Sequence, residues 1–457
     1  MNKNKGFIQK LKNIWNIEDL RTRILNTVLF LLVYVAGTQI LLPGIDSEAL
    51  AKSSGEGGWT DLINQFSGGA FSKASIFALG IMPYITASIV IQLLGMAVPQ
   101  FQKLQKEGES GRKKMQTYTK FLTIAVTALQ APAYLKMYVG GKEAIVDPSF
   151  MFWMTSVSII VASTLFLMWL GEKITEKGIG NGVSILITVG ILARLPIAIV
   201  EEFKEAFTGD AAGGRTFFLI VEFLAWFFIV LLTIAVVKAV RKVPLEYPKQ
   251  MVAGGAINKV QGGGRRYLPL KIAMAGVMPI IFAQAIMFLP TGLASSDFMG
   301  PGLKSVMSEI GDPNSVWYNI TTAVLIVVMT YFYTAMIVNP RQMAEDFKKQ
   351  GAFIPGIKPG NDTANYIDAI MTKIMFPGAL FLAIIAIFPV FARIANVNNA
   401  FSYFFGGTSL LIMVSVVLDT LQQVDGYLLM SHYDGLMKTG KVRGESSLSE
   451  SSSVGMI

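Results

Sequence analysis

Between Ser75 and Val98 the chain reads SIFALGIMPYITASIVIQLLGMAV, without a single charged residue. At about 1.5 Å per residue, a helix of that length crosses the hydrocarbon core of a bilayer. Lipid offers the backbone no hydrogen-bond partners, so such a run is confined to a helix or a closed barrel. The same kind of run recurs along the whole chain: Ile24–Leu42, Tyr118–Tyr138, Phe150–Gly171, Val183–Phe203, Phe217–Val240, Leu270–Gly292, Trp317–Val338, Ala369–Phe391 and Thr408–Met430. Strands that span are about half as long, so the expectation is an all-α polytopic membrane protein with ten transmembrane helices. Composition agrees: 15% of residues are charged, where soluble domains carry about a quarter. The basic N-terminus and Ile24–Leu42 also have the outline of a signal peptide. The apolar run is too long for that, and no small-x-small cleavage site follows it.

The tenth run is the most polar. Its apolar part ends at Leu418, and Asp419, Gln422, Gln423 and Asp425 follow. The second run has an unusual outer flank. Trp59 to Phe66 is short and amphipathic, with Leu62, Ile63 and Phe66 at helical spacing, and Gly68 and Gly69 follow at once. This predicts a half-length helix on a glycine hinge, with an ordinary loop as the other reading. Broken backbone at membrane depth is tolerated only where protein buries it or it lines a wet cavity.

Most of the 39 Lys and Arg fall in the N-terminal arm, the loops after the even-numbered spans and the tail. The positive-inside rule makes that side cytoplasmic and puts both termini there. Five spans followed by five more make the second half enter the membrane upside down, the pattern of inverted repeats. The expected divisions are a basic amphipathic arm over 1–23, a half over 24–203 with the hinged piece at 59–72, and a half over 204–437. The second half carries cytoplasmic loops at 241–269 and 339–368, and a disordered tail follows over 438–457.

Several chemistries are excluded by residue type. The chain has no cysteine and one histidine, His432, so thiolate chemistry and a zinc site have no ligands, and no cofactor is expected. No catalytic trio lies within the spans. Gly178, Gly180 and Gly182 in KGIGNGVS faintly suggest a phosphate loop, but the spacing is wrong, no strand precedes it, and a turn is the better reading. Charges inside spans are scarce; Arg194, Glu222 and Asp419 stand out, with snorkelling or helix pairing as their bland reading, and an ion-coupled carrier is left without its relay. The two large cytoplasmic loops carry Arg241, Lys242, Arg265, Arg266, Arg341, Lys348, Lys349 and Lys358. Topology needs only a few of these, so the loops suit docking of an anionic partner such as ribosomal RNA or an acidic protein surface.

Long segments of the chain resemble the SecY family of bacterial protein-conducting Sec channels. They are SGGAFSKASIFALGIMPYITASIVIQLL, KEGESGRKKMQTYTKF, FLMWLGEKITEKGIGNGVSI, LPLKIAMAGVMPIIFAQAI, FFYTAMIVNPRQMAEDFKKQGAFIPGIKPG and FGGTSLLIMVSVVLD, in the family's order from about Leu20 to Met437. The resemblance implies two inverted five-helix halves around a central pore. It implies a waist ring of Ile81, Ile85, Ile187, Ile191, Met278 and Ile412, and a plug that includes Trp59, Leu62, Ile63, Phe66, Gly68 and Gly69. It further implies a lateral gate between spans two and seven, with Ser88, Gln92 and Gln284 as lining. An apolar ring closes around a moving peptide without binding it and dewets against ions. The implied function is passive conduction of unfolded polypeptide across the bacterial cytoplasmic membrane, with membrane segments released sideways into lipid. The implied partners are SecE and SecG, the SecA ATPase, the ribosome, signal-bearing precursors and membrane lipid. The chain departs from the family's pattern at Met278 and Ala273, at the loop Gly254–Gly264, and at Lys358 in GIKPG, where Arg is common. A small-solute carrier and an intramembrane enzyme are the competing classes. The first has no use for the large basic loops, and the second lacks catalytic residues.

Overall fold

The computed structural model describes residues 14–46, 49–50, 64, 66–140, 144–208, 212–247, 265–272, 276, 278–294, 301–312, 315–395 and 397–445. Its helices in chain order are α1 (Glu18–Gly37), α2 (Met82–Ala97), α3 (Pro99–Lys106), α4 (Glu109–Tyr134), α5 (Phe150–Lys177), α6 (Gly182–Thr208), α7 (Ala212–Lys238), α8 (Met278–Ala294), α9 (Pro301–Gly311), α10 (Val316–Ile337), α11 (Pro340–Lys349), α12 (Asn361–Ile394), α13 (Asn399–Ser402) and α14 (Gly407–Glu445). Each of the ten expected spans has a helix: α1, α2, α4, α5, α6, α7, α8, α10, α12 and α14. Seven of these, namely α1, α5, α6, α7, α10, α12 and α14, are long and apolar enough to cross a membrane by themselves.

The surface of these helices is inside out relative to a soluble protein. On α7, Phe217, Phe218, Ile220, Leu224, Phe227 and Phe228 are all exposed. In two of the helices the buried face is rich in threonine. In α4 it carries Thr119, Thr123, Thr127, Ala131 and Tyr134, and in α10 Thr322, Ile326, Thr330, Tyr333 and Thr334. The threonines of α4 return their hydroxyls to the carbonyls one turn back, at 2.7–2.9 Å. Small, self-satisfied residues let helices approach closely in lipid, where apolar burial gives no drive for association. This explains why α4 looks too polar to span although Phe121 and Leu129 stand out on its other side.

Two spans begin later than the sequence suggests. Span two was expected as helix from Ser75, but residues 67–81 form turns and α2 starts at Met82. The cause is local: Gly68, Gly69, Ala74 and Gly80 have left-handed φ values of 66°, 88°, 47° and 56°. Pro83 then supplies the pre-set φ of a helix start. Span seven was expected from Leu270, but Arg265–Lys271 is strand β2, and α8 begins at Met278 after a left-handed Gly276. At the other end, residues 438–445, expected as part of an irregular tail, continue α14. The remaining tail, 446–457, and most of the N-terminal arm lie outside the described residues.

The chain divides into two units, one of Met1–Ser54, Phe66–Gly190 and Val416–Ile457, the other of Gly55–Gln65 and Ile191–Ser415. In the first, α1 packs on α5, and α4 packs on both α2 and α5. The glycine loop between α5 and α6 is a turn held from two sides. Its Ile179 and Gly180 amides donate to Thr27 Oγ1 (3.1 Å) and Gln423 Oε1 (2.9 Å), and the Gly182 amide donates to Thr175 Oγ1 (2.9 Å). Those amides are therefore committed within the protein. Gln423, which made the tenth span look weak, serves this loop.

In the second unit, α10 packs on α8 and α12. Trp226 of α7 donates to the Phe404 carbonyl at 2.8 Å, beside the tilted ring pair of Phe223 and Phe401. The two long basic loops add the only strands among the described residues. β1 (Val240–Glu246) pairs antiparallel with β2, with Val243 opposite Leu268 and Leu245 opposite Arg266. The all-α expectation missed this hairpin.

Candidate channel elements and docking surface

The six waist residues lie on four helical segments. Ile81 caps the start of α2 and Ile85 follows one turn later; they are 7% and 8% exposed. Ile187 and Ile191 stand one turn apart on α6 and are buried. Met278 opens α8 and is half-buried, and Ile412 is buried in the second turn of α14. Five of the six therefore sit at or within two turns of a helix start, and at the starts of α2, α8 and α14 Pro83, Gly276, Pro279 and Gly407 fix the backbone. All six side chains are apolar, and the weakly accepting thioether of Met278 is the one polar atom they offer a passing peptide.

The gate residues find polar partners. Gln92 donates to Ser88 at 3.2 Å, one turn apart on α2. Gln284 of α8 donates to the Thr408 hydroxyl at the start of α14. Thr408 was not singled out from sequence. Its one signal is its place in FGGTS, just after the left-handed Gly407.

Of the plug residues, Phe66 and Gly69 are buried and Gly68 is half-buried, whereas Trp59, Leu62 and Ile63 lie outside the described residues. The chain that follows is tied down. The Phe71 amide donates to Ser67 Oγ at 3.1 Å, and Tyr134 of α4 donates its hydroxyl to the Phe71 carbonyl at 2.8 Å. The Phe71 ring lies 4.7 Å from both the Tyr134 and Tyr138 rings. Leu42 and Ile76 add backbone hydrogen bonds, to Ala74 and Ile40 respectively, at 3.0 and 2.8 Å.

The docking loops form a folded platform in the second unit. Val243, Leu245 and Leu270 of the hairpin share one core with Ile354 and with Ile367 and Met371 of α12. Glu246 and Phe353 exchange backbone hydrogen bonds at 2.9 and 3.0 Å, so the two loops are joined directly. Asn339 caps α11 by accepting from the Gln342 amide, and Pro340 occupies the first turn. Lys348 and Lys349 fall in its last turn, where the helix dipole favours cations.

Around this core Arg241, Lys242, Arg266, Arg341, Lys348, Lys349 and Lys358 are all exposed. Arg266 lies over the Tyr247 ring at 5.3 Å, which limits its freedom. The side chain of Arg265 lies outside the described residues. The face is not uniformly basic, since Glu345, Asp346, Asp362 and Asp368 are exposed as well.

Of the in-span charges, Asp419 is exposed, and Arg194 and Glu222 are half-buried. Sequence reasoning overlooked two others. Lys120 of α4 pairs with Glu172 of α5 at 2.9 Å. Glu202 of α6, 1% exposed, accepts from the Asn398 amide at 2.9 Å, and the Asn398 side chain donates to Glu205. Among the described residues no group of three His, Cys, Asp or Glu side chains is placed to hold a metal ion.

With this geometry in view, the comparisons are specific. The SecY family model matches residues 75–421. The protein translocase subunit SecY of Escherichia coli strain K12 is 40% identical over 433 residues, covering 93% of this chain and 96% of the relative. One solved structure covers 88% of this chain and 91% of its own, with a TM-score of 0.55 at 16% identity. It concerns a SecY protein whose plug domain is described as stabilizing the closed state of the translocation channel and maintaining a membrane seal. Sec61 in the canine ribosome-channel complex from the endoplasmic reticulum matches at a TM-score of 0.58 and 14% identity, over the same shares of both chains. These structural likenesses establish a common fold, and the relatives are transport proteins of a membrane channel. The length and identity of the sequence match place this chain in the SecY family.

Proposed function

We propose that this chain is the channel-forming subunit of a bacterial Sec translocase. It passes unfolded secretory polypeptides across the cytoplasmic membrane and releases membrane-protein segments sideways into lipid. The observation that carries this reading is the near full-length identity to a translocase subunit, with the apolar waist motifs in the family's order. Halves over 24–203 and 204–437 surround the pore in the proposal, and both termini face the cytoplasm. Ile81, Ile85, Ile187, Ile191, Met278 and Ile412 form the waist. An apolar ring holds no water column, so it blocks ions while it yields to a peptide. The segment 59–72 is the plug. Ser88, Gln92 and Gln284 line a gate between spans two and seven, where their hydrogen bonds exchange when a signal sequence intercalates.

The chain is a passive conduit and not an enzyme in this account. Its drive comes from SecA or from translation, and SecE and SecG complete the complex. The hairpin and α11 platform receives the motor or ribosomal RNA through Arg241, Lys242, Arg265, Arg266, Arg341, Lys348, Lys349 and Lys358. Support comes from the exposure of Arg241, Lys242, Arg266, Arg341, Lys348, Lys349 and Lys358 around a shared apolar core. The test is reconstitution of the chain with SecE and SecG in vesicles. Addition of SecA, ATP and a signal-bearing precursor should move the precursor into a protease-protected lumen. Vesicles that accumulate no precursor, from a correctly assembled complex, would refute the assignment.

A further inference from the structure

We propose that Gly190 is the seat on which the plug's backbone rests, and that Phe71 is the fixed anchor beyond its hinge. This deepens the plug reading above and rests on it. Gly190 lies on α6 between the waist residues Ile187 and Ile191. A Cβ placed on Gly190 would stand 2.7 Å from the Phe66 carbonyl, 3.1 Å from the Tyr34 hydroxyl and 3.3 Å from the Gly68 nitrogen. A Cβ on Gly68 would stand 3.1 Å from the Gly190 Cα. Two backbones therefore touch here, and a side chain on either holds them apart. Gly68 and Gly69 then turn the chain through left-handed conformations that only glycine adopts readily.

Beyond this turn the attachments change in kind. Phe71, 1% exposed, is held by the Tyr134 hydroxyl and lies against the Tyr134 and Tyr138 rings. Ala74 and Ile76 are hydrogen-bonded to the chain before them, at Leu42 and Ile40. A close packing contact parts at small cost, whereas buried hydrogen bonds with ring packing resist parting. Ser67 is itself tied across the turn, its Oγ accepting from the Phe71 amide at 3.1 Å and its carbonyl from the Ala70 amide at 3.3 Å. Departure of Phe66 from its seat therefore bends the chain at Gly68 and Gly69 at the expense of these two bonds, while the bonds from Tyr134, Leu42 and Ile76 keep Phe71 and the residues after it in place. Gly190 and Phe71 are thus positioning residues for the resting seal, and they need not touch the transported polypeptide.

The test uses the assembled complex in planar bilayers and vesicles. Gly190→Ala should raise resting ion conductance at least tenfold, with precursor transport retained. If Gly190→Ala assembles poorly, Gly68→Ala addresses the same contact from the other side and should leak likewise. The chain has no native cysteine, so Phe71→Cys with Tyr138→Cys can be joined cleanly by a short bis-maleimide. The joined stem should stay ion-tight and transport at no less than half the parent rate. An ion-tight Gly190→Ala channel at normal assembly overturns the seat, and a joined stem that blocks transport overturns the anchor. Deleting residues 64–71 separates the two levels. If the deletion leaks while Gly190→Ala is tight, only the seat fails. If the deletion itself is tight, the plug reading fails.

Discussion

Ile354→Ala tests whether the two long basic loops are one platform. Ile354 is 2% exposed in the core it shares with Val243, Leu245, Leu270, Ile367 and Met371. The substitution removes three carbons, worth about 2.4 kcal/mol at ~0.8 kcal/mol each. The cavity left behind adds to this, and measured Ile→Ala costs run about 2–5 kcal/mol. A loss of about 3 kcal/mol raises the population of the locally opened platform roughly a hundredfold, at ~1.4 kcal/mol per tenfold. Hydrogen exchange on the purified complex reads this directly. The Glu246 and Phe353 amides, which bond across the two loops, should exchange about a hundredfold faster, together with the amides of the β1–β2 ladder. Ile354→Val, at about 1 kcal/mol, should give roughly fivefold. The reasoning fails if exchange quickens around Phe353 while the hairpin keeps its parent rates, because the loops would then be separate bodies.

Three further outcomes are expected. Arg265→Glu with Arg266→Glu should weaken binding of the motor or the ribosome and flatten its salt dependence, and equilibrium binding at two salt concentrations checks this. Lys348→Cys, exposed in the last turn of α11, should resist a membrane-impermeant maleimide added outside intact cells and react once the membrane is opened. Ala74→Gly should steady the stem by about 1 kcal/mol, because Ala74 holds a left-handed φ of 47° that costs an L-residue about 1–2 kcal/mol, less glycine's entropic penalty of roughly 0.5–1 kcal/mol. Exchange at the Ile76 amide should slow about fivefold.

The spans were legible because lipid imposes a length and an apolar content that no other constraint mimics. Their starts were less legible. Ser75–Gly80 is as apolar as the helix it precedes, and hydropathy does not register that Ala74 and Gly80 are left-handed. The hairpin was hidden for a different reason. Its strands are short, each contains a proline, Pro244 and Pro269, and their alternation is blurred by Arg241 and Arg266 on the face that also carries Val243 and Leu245. Basic character identified these loops as exposed, but the core of Val243, Leu270 and Ile367 joins positions far apart in the chain, which no local pattern reveals. The Glu202–Asn398 and Gln284–Thr408 hydrogen bonds were equally out of reach, since each polar residue looked isolated in its own segment. The proposed waist residues rest on resemblance. As residues they are ordinary span interior, and burial of Ile85 or Ile412 alone does not separate a ring from helix packing.

The account centres on an apolar waist that seals by dryness while polypeptide passes. Ile85→Ser combined with Ile191→Ser tests it most directly, because both side chains are buried and neither is charged. Single-channel recording in planar bilayers should show a resting channel that leaks small ions, since hydroxyls hold water in the constriction. The same preparation should still transport precursor, because the ring contributes shape and no specific bond. A double variant as ion-tight as the parent would contradict the account and leave Ile85 and Ile191 as helix packing.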